Sequence, residues 1–293
     1  MSEAVTARVW NGSVHVRIVY ENTDFLLDAK RVAYFASYFS QMADFFRIAT
    51  GVQYLPTQPV WLEYEDVPLK WNLPIGLLYD LLYLPSGPIS SSSSSSSLPS
   101  SAYKHPWKLV LKVSCAETPY PSHSIIPFDS AGHKPVDYNK MLNRVLINSL
   151  KQSCYVLNGN SRAVLGLSDD DTRGLCRSMA THDLTVYTSI SKKLVAAPKT
   201  GRQRIPLKLY IAGSDILLQA PVWTKDDAGN DSTLSQVIKH QLAEVSTDNM
   251  PSFPCVYIHG INVDVLLDEP VLHLWMRLRY MDNFLYVVLV MKG

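Results

Sequence analysis

Hydrophobic and polar positions alternate along four short stretches near the N-terminus, and this two-residue period predicts β-strands. The predicted strands are residues 13–20, 25–27, 60–64 and 107–113. Between them, apolar residues recur at helical spacing over 35–47, and Pro74 is placed to open a short helix that ends at Leu82. The predicted order is therefore strand, strand, helix, strand, helix, strand.

The C-terminal part of the chain repeats this order. Its predicted strands are residues 205–211, 215–222, 253–258 and 284–291, and its predicted helices are 234–242 and 271–278. Thr233 and Gln236 have the spacing of a capping box at the start of the first helix. The last strand is apolar on both faces, as in a central strand. This order is that of a ubiquitin-like β-grasp, present twice.

An insertion accounts for the unequal length of the two copies. From third strand to last strand the first copy takes 47 residues and the second takes 31. The first copy contains a proline- and serine-rich stretch, 85–102, with eight consecutive serines. We interpret it as a disordered loop inserted into a finished fold, with phosphorylation of its serines as an open alternative.

Between the two copies the spacing of apolar residues is helical. One helix is predicted over 142–157 and ends at Asn158-Gly159-Asn160. Ser168 is expected to cap a second helix that runs to about Leu194. The predicted fold class is α+β, with two ubiquitin-like β-grasp domains flanking a helix-rich domain. The expected domains are 1–120, which includes an N-terminal helix and the insert, then 121–200 and 201–293.

Composition excludes several classes of protein. The chain has 293 residues, of which 47% are hydrophobic and 18% charged, so a disordered chain or a coiled coil is not expected. The longest apolar run has eight residues, and a membrane span needs about 20. The four cysteines are far apart, and no signal peptide is recognised, so a reducing compartment is expected.

The charge is unevenly distributed. The whole chain carries 27 basic and 26 acidic residues, which gives no overall basic field for nucleic acid. Residues 140–204, however, contain eleven basic and four acidic side chains. This basic segment is either an ordinary solvated helical surface or a surface that meets anionic lipid.

The sequence contains no motif for catalysis of its own. No nucleophile elbow, phosphate-binding loop or zinc spacing is present, so we expect no catalytic residue, metal or cofactor. His259-Gly260 is better explained as a turn after a strand than as an oxyanion loop. Cys154 lies on the apolar face of its helix, where a thiol is buried and unreactive.

Two other features have a structural and a functional interpretation. Lys151 lies on the polar face of the 142–157 helix, either as a solvated charge or as an amine open to covalent modification, and spacing does not distinguish it from Lys192 or Lys193. The aromatic-rich stretch 61–80 is either core or the lining of a groove for a partner helix. Within it, Asp80 must face water, cap a helix or pair with a cation.

These motifs resemble one known family. The stretch from Trp61 to Asp80, which includes WLEYE and PLKWNLPIGLLYD, is similar to the signature of the autophagy protein 5 family. Shorter matches follow in the same order along nearly the full chain, and the fungal members are the most similar. They include Lys151-Gln152, Arg162-Ala163 and Asp282-Asn283-Phe284-Leu285.

The resemblance implies a function without catalysis. It implies that Lys151 is the isopeptide acceptor for the ubiquitin-like autophagy protein 12. It implies that a groove near Trp71, Gly76 and Asp80 binds the N-terminal helix of autophagy protein 16. The conjugate is then expected to stimulate the conjugating enzyme that transfers autophagy protein 8 to phosphatidylethanolamine during autophagosome formation.

The resemblance also implies a location. Arg162 and Arg173 match the basic membrane-binding positions of the family. The protein is therefore expected to be cytoplasmic and to be recruited peripherally to the membrane of the pre-autophagosomal structure. The runner-up hypothesis is a β-grasp adaptor that binds a partner helix and is never conjugated, and a third is an unrecognised hydrolase.

Overall fold

The structure is a computed structural model that describes residues 2–83, 106–129, 134–195, 201–243 and 254–291. The proline- and serine-rich insert predicted over 85–102 lies outside the described residues, so its interpretation as a loop stays a prediction.

Twelve strands and nine α-helices are described. The strands are β1 (Ser13–Tyr20), β2 (Thr23–Lys30), β3 (Val60–Tyr64), β4 (Val67–Pro68), β5 (Trp107–Val113), β6 (Arg204–Ile205), β7 (Leu207–Ile211), β8 (Leu217–Leu218), β9 (Val222–Trp223), β10 (Cys255–Ile258), β11 (Ile261–Asn262) and β12 (Leu285–Val290). The helices are α1 (Ser2–Asn11), α2 (Phe39–Thr50), α3 (Ile75–Leu82), α4 (Tyr138–Asn158), α5 (Arg162–Leu165), α6 (Asp169–Ala180), α7 (Leu184–Leu194), α8 (Leu234–Ala243) and α9 (Val271–Leu278). None of these described helices is long and apolar enough to span a membrane.

The chain divides into two compact units. One contains residues 11–79 together with 86–145, and the other contains residues 1–10, 80–85 and 146–293. The first unit holds a sheet of order β2-β1-β5-β3-β4, in which β1 and β5 run parallel and the other neighbours are antiparallel. Its core is formed by the inward residues of the strands and by the apolar face of α2.

The second unit holds a sheet with the same plan. Its order is β11-β10-β12-β7-β8, with β7 and β12 parallel. Residues of α8 and α9 pack with the strands in one hydrophobic core, which includes Leu207, Ile238, Trp275 and Val287. The repeated topology confirms the predicted fold class of two ubiquitin-like β-grasp domains with a helix-rich region between them in sequence.

The second helix of each domain begins in the same way. The Ile75 amide donates to the Ala33 carbonyl at 2.8 Å, and the Val271 amide donates to the Ser232 carbonyl at 2.9 Å. In both domains the segment before the first long helix therefore accepts the first free N–H groups of the second helix. The predicted capping box of α8 is also present, because Gln236 Oε1 accepts the Thr233 amide and Thr233 Oγ1 accepts the Gln236 amide.

The helix predicted from Ser168 to Leu194 is wrong in its length. Ser168 caps α6 as expected, accepting the Asp171 amide, but α6 ends at Ala180. His182 adopts a positive φ of 57°, and Asp183 caps a separate helix, α7. Apolar spacing continues across this break, which explains why the pattern suggested one helix.

The N-terminal helix is attached at this break. The Trp10 indole N–H donates to the His182 carbonyl at 3.1 Å, and the indole stacks on the His182 ring with centroids 4.8 Å apart. The Tyr187 ring lies on the same indole at 5.0 Å. The turn between α6 and α7 is therefore covered by an aromatic side chain from the start of the chain.

The strand predicted over 215–222 is also wrong, because it consists of two pieces with different partners. β8 pairs with β7, whereas β9 pairs with β6 in a separate two-stranded sheet. Pro206 separates β6 from β7, and Pro221 precedes β9. Because proline has no backbone N–H to donate, each proline interrupts the strand pairing at its position. The segments on its two sides can then pair with different strands.

Candidate functional site

Lys151 lies on α4 beside a buried stripe. Leu146, Leu150 and Cys154 are almost completely buried at helical spacing, which fixes the rotation of the helix about its axis. Lys151 is half-buried at the edge of this stripe, and Tyr155, one turn later on the same face, is 60% exposed. The lysine and an exposed aromatic side chain therefore share one accessible strip of the helix.

The Lys151 amine has no ion-pair or hydrogen-bond partner among the residues that the structure describes. Lys193 differs, since its ammonium donates to both carboxylate oxygens of Asp171 at 2.8 Å. This contact distinguishes Lys151 from Lys193 but not from Lys192, which is also without an ion-pair partner in the described part of the chain. An unpaired amine can reach an incoming electrophile without first breaking a salt bridge.

The C-terminal end of α4 is tightly organised. Gly159 adopts a positive φ of 73° and its amide donates to the Tyr155 carbonyl at 2.8 Å, so the predicted helix stop is confirmed. The Cys154 thiol donates to the Asn160 carbonyl and accepts from the Asn158 amide group. Cys154 is 1% exposed, so its predicted structural role is supported by both burial and hydrogen bonding.

Arg162 and Arg173 are both exposed, but their electrostatic settings differ. Arg162 begins α5, whose last residue, Leu165, is 66% exposed. The Arg173 guanidinium lies 2.7 Å from the Asp170 carboxylate, in a pair one helical turn apart. Because such surface pairs contribute little to stability, Arg173 can exchange this partner for another anion at low cost.

Two further basic residues of the 140–204 segment were not among the predicted membrane-binding positions. Arg177 on α6 and Lys192 on α7 are exposed and have no ion-pair partner in the described part of the chain. By contrast, the acids at the start of α6 neutralise Arg173 and Lys193. The sequence does not show which basic residues lack an acidic partner, because the ion pairs are known only from the fold.

Trp71 is a buried residue of the first ubiquitin-like domain. Its ring stacks on Phe128 with centroids 4.4 Å apart, and its indole N–H donates to the Ile126 carbonyl at 2.8 Å. With 1% of its surface exposed, Trp71 is a core residue and does not itself form part of an accessible surface.

Gly76 allows a close approach of two backbone segments. Its amide donates to the Arg31 carbonyl at 2.8 Å, and the Arg31 guanidinium donates to the Gly76 carbonyl at 3.1 Å. A Cβ at this position would lie 2.8 Å from the Arg31 Cβ, so any side chain would push the segments apart. Asp80, also on α3, is 1% exposed and therefore does not face water.

His259 lies in a turn, as the sequence suggested. It and Gly260 have φ values of 53° and 73° between the antiparallel strands β10 and β11. The imidazole stacks on Tyr280 at 4.0 Å, and its Nε2 lies 2.8 Å from the Leu278 carbonyl oxygen. The ring is thus held in a structural contact inside the second domain.

Comparison with known proteins agrees with this architecture domain by domain. Family models described as the UblA domain, the alpha-helical bundle region and the UblB domain of autophagy protein ATG5 match residues 9–113, 139–197 and 204–289. The chain belongs to the autophagy protein 5 family. The autophagy protein 5 of Debaryomyces hansenii is 36% identical over 97% of this chain and 94% of its own length.

Other relatives show the same extent of similarity. The autophagy protein 5 of Scheffersomyces stipitis is 38% identical and that of Candida albicans 36% identical, each over 98% of this chain and 96% of its own length. The crystal structure of Kluyveromyces marxianus Atg5 matches with a TM-score of 0.71 at 22% identity and covers 98% of this chain and 99% of its own. The last match shows a shared fold.

The predicted site residues fall within the matched autophagy protein 5 domains. Lys151, Arg162 and Arg173 lie in the alpha-helical bundle region, and Trp71 and Asp80 lie in the UblA domain. The family places the chain in autophagy, with ubiquitin-like domains as its framework.

Proposed function

We propose that this chain is a scaffold of autophagosome formation that accepts the ubiquitin-like autophagy protein 12 through an isopeptide bond to Lys151. The observation that carries the proposal is the placement of Lys151, a half-buried lysine without a partner among the described residues, at the edge of the buried stripe of α4. Tyr155, exposed one turn away, offers apolar surface against which an incoming protein can pack.

The chemistry needs nothing from this chain except a positioned amine. The Lys151 nitrogen attacks the C-terminal carbonyl carbon of the ubiquitin-like protein, which arrives as a thioester on its conjugating enzyme. The Lys151 ammonium first loses one proton to become the attacking amine. The new C–N bond forms as the C–S bond breaks, the thiolate stays on the enzyme, and the nitrogen loses a second proton as the amide forms, so that two protons pass to solvent. The chain is therefore a non-catalytic component of a ligase-like conjugate.

The conjugate is proposed to act at a membrane with a helical partner. Trp71, Gly76 and Asp80 shape the surface that binds the N-terminal helix of autophagy protein 16. Arg162 and Arg173 contact anionic lipid, and each basic residue near such a surface contributes about 1 kcal/mol. These contacts recruit the conjugate from the cytoplasm to the pre-autophagosomal membrane. There the conjugate stimulates the transfer of autophagy protein 8 to phosphatidylethanolamine.

The test is conjugation reconstituted from purified components, with Lys151→Arg compared with Lys192→Arg. Arginine keeps the charge but its guanidinium is not a nucleophile at neutral pH. We expect wild type and Lys192→Arg to give a higher-mass product that resists denaturant and reductant. Lys151→Arg is expected to give only the free chain on a denaturing gel.

Each other outcome has a defined meaning. A product that persists in Lys151→Arg would assign the acceptor to another lysine. If wild type gives no product but still binds the N-terminal helix of autophagy protein 16, the unconjugated adaptor becomes the better hypothesis. Calorimetry with that helix, which does not depend on the amine, distinguishes the adaptor from a misfolded preparation.

A further inference from the structure

The first ubiquitin-like domain has one long unpaired sheet edge, formed by β2. This strand lies at the end of its sheet and has eight residues, whereas every other edge strand of the described sheets has two. An edge strand presents a row of N–H and C=O groups with which another chain can pair. In the described part of the molecule, β2 is therefore the one edge along which a further strand can pair over several residues.

The hydrogen-bond pattern shows which groups of β2 face this edge. The Arg31 amide donates to the Gly12 carbonyl at 2.9 Å, at the end of the register that pairs β1 with β2. Because bonded and non-bonded pairs alternate in an antiparallel ladder, the amides of Asp24, Leu26 and Asp28 point away from β1. No hydrogen bond to these three amides is formed within the described ranges. Every second residue of β2 thus presents a donor and an acceptor to the edge.

Exposed side chains accompany these outward amides. Leu26 is 70% exposed at the centre, and Asp24 and Asp28 are exposed on the same face of the sheet. The Lys30 amide continues the outward series, but it donates to the Tyr38 hydroxyl. The stretch open to pairing is therefore short and ends at Asp28.

An apolar surface lies along the other face of this edge. Phe25 and Leu27 alternate with the outward residues and lie on the side of β2 that packs against α2. The rings of Phe25 and Phe45 are 5.0 Å apart, and Phe45 on α2 is 37% exposed. Ile48, one turn further along α2, is 74% exposed. Alternate residues of an added strand would thus lie beside an aromatic and aliphatic surface.

The charges of β2 argue against a second copy of this chain as the occupant. Antiparallel pairing of two β2 edges about Leu26 would place Asp24 of each chain opposite Asp28 of the other, and like charges directly opposite are destabilising. Asp24 accepts from the Arg17 guanidinium at 2.9 Å, and Asp28 Oδ1 lies 3.3 Å from His15 Nδ1. Such surface pairs contribute little, and the two carboxylates remain 40% and 51% exposed. A strand with lysine or arginine at these positions is the complementary partner.

We propose that β2 of the first ubiquitin-like domain binds an extended segment of a partner protein as an added antiparallel strand. The segment has three apolar residues, opposite Phe25, Leu26 and Leu27, between two basic residues that lie opposite Asp24 and Asp28. Main-chain hydrogen bonds supply affinity in this mode of recognition, and the alternating side chains supply specificity. The proposal is independent of conjugation at Lys151.

The probe is the peptide acetyl-Thr-Lys-Val-Leu-Val-Lys-Thr-amide, added to the full chain and followed by nitrogen–proton correlation spectra and by hydrogen exchange. We expect the amides of Asp24, Leu26 and Asp28 to become protected from exchange on binding. The amides of Phe25 and Leu27, which already belong to the ladder with β1, are expected to change little in protection.

Methylated peptides supply the matched control on the unaltered protein. N-methylation of the central leucine removes the N–H opposite Leu26 and is expected to weaken binding at least about tenfold. N-methylation of the two valines, whose N–H groups face away from β2 in an antiparallel pair, is expected to leave binding unchanged. Replacement of both lysines by glutamate is expected to weaken binding severalfold.

A variant of the chain tests the edge from the other side. Leu26→Pro removes the central outward donor and is expected to weaken binding at least about tenfold, whereas Leu26→Ala keeps the donor and is expected to weaken it less. Protection of the three outward amides in the peptide-free monomer, or their protection by self-association, would overturn the proposal. Equal affinities for the two kinds of methylated peptide, or for the lysine and glutamate peptides, would overturn it as well.

Discussion

In the first ubiquitin-like domain the last strand, β5, is buried on one face only, whereas its counterpart β12 in the second domain is buried on both. On β5 the buried residues alternate with exposed ones, and Val110 is 38% exposed. On β12 the residue at the matching outward position, Val288, is 2% exposed, and its neighbour Tyr286 is buried as well. The same topology therefore supports an open sheet face in one copy and a covered face in the other.

The covered face of β12 is built from aromatic rings and one carboxylate. The Tyr286 ring lies within 6.2 Å of the rings of Tyr210, Tyr280 and Phe284. The Tyr286 hydroxyl donates to the Asp282 carboxylate at 2.5 Å. The position of a strand in a β-grasp sheet therefore does not determine how far the strand is buried. Burial depends on the residues of the second face. In the sequence, a strand with one open face alternates apolar and polar residues, and a strand covered on both faces is an unbroken apolar run.

The largest difference in stability is expected when a charge is placed on the outward face of β12 and, for comparison, on that of β5. Val288→Asp would bury an unpaired carboxylate and is expected to lower the free energy of unfolding by about 3–5 kcal/mol. Val110→Asp leaves the carboxylate partly in water, opposite Glu63 on the neighbouring strand, and is expected to lower the free energy of unfolding by no more than about 1 kcal/mol. Urea unfolding followed by tryptophan fluorescence measures both. Equal losses in the two variants would refute the difference between the faces.

An intermediate effect on the free energy of unfolding is expected at Gly76, because its surroundings in the first domain are more tightly packed than those of glycines that face open space. Gly76→Ala places a Cβ 2.8 Å from the Arg31 Cβ and is expected to cost about 1–3 kcal/mol through overpacking. Gly201→Ala is the control, because nothing lies within 4 Å of its added Cβ. The same urea titration applies, and a Gly76→Ala chain as stable as the control would show that the segments separate freely.

A smaller effect concerns the pH dependence of the second domain. Burial raises the pKa of Asp282 above its ordinary value, against the opposing effects of the Tyr286 hydrogen bond and the Lys208 ammonium. The native carboxyl thus keeps its proton to a higher pH than the unfolded one. Its contribution to stability is complete below the unfolded pKa of about 4 and is lost as the pH rises through the native pKa.

Asp282→Asn tests this sign, because asparagine retains an acceptor oxygen and cannot ionise. The free energy of unfolding of the variant, relative to that of wild type, is expected to rise from acid to neutral pH. Titrations of groups that do not interact with Asp282 cancel in this difference. Parallel curves for the two proteins would mean that Asp282 titrates alike in the native and unfolded states.

Most of the fold was predictable because each element has its own period. Alternation identified β1, β3 and β5, and helical spacing with a proline at its start identified α3. The errors in the predicted elements occurred where the local hydrophobic pattern does not reveal a helix break or a change of strand partner. The break at His182 preserves the apolar phase of α6 and α7, and the two-residue strands β4 and β11 are too short to show a period.

The candidate site was predictable in part. Periodicity placed Lys151 on the polar face of α4, and the resemblance supplied its role, but only the fold separates it from Lys193 by the contact with Asp171.

The contact of Trp10 with the turn at His182 has a consequence for synthesis of the chain. The two residues are 172 positions apart. At about 5–20 residues per second, the ribosome releases the turn roughly 10–30 s after the tryptophan. For that time α1 has no turn on which to stack, and its indole is exposed to water and to chaperones. Among the described helices, α1 is thus fixed in place only after the residues of the first ubiquitin-like domain and of α4 to α6 have been synthesised.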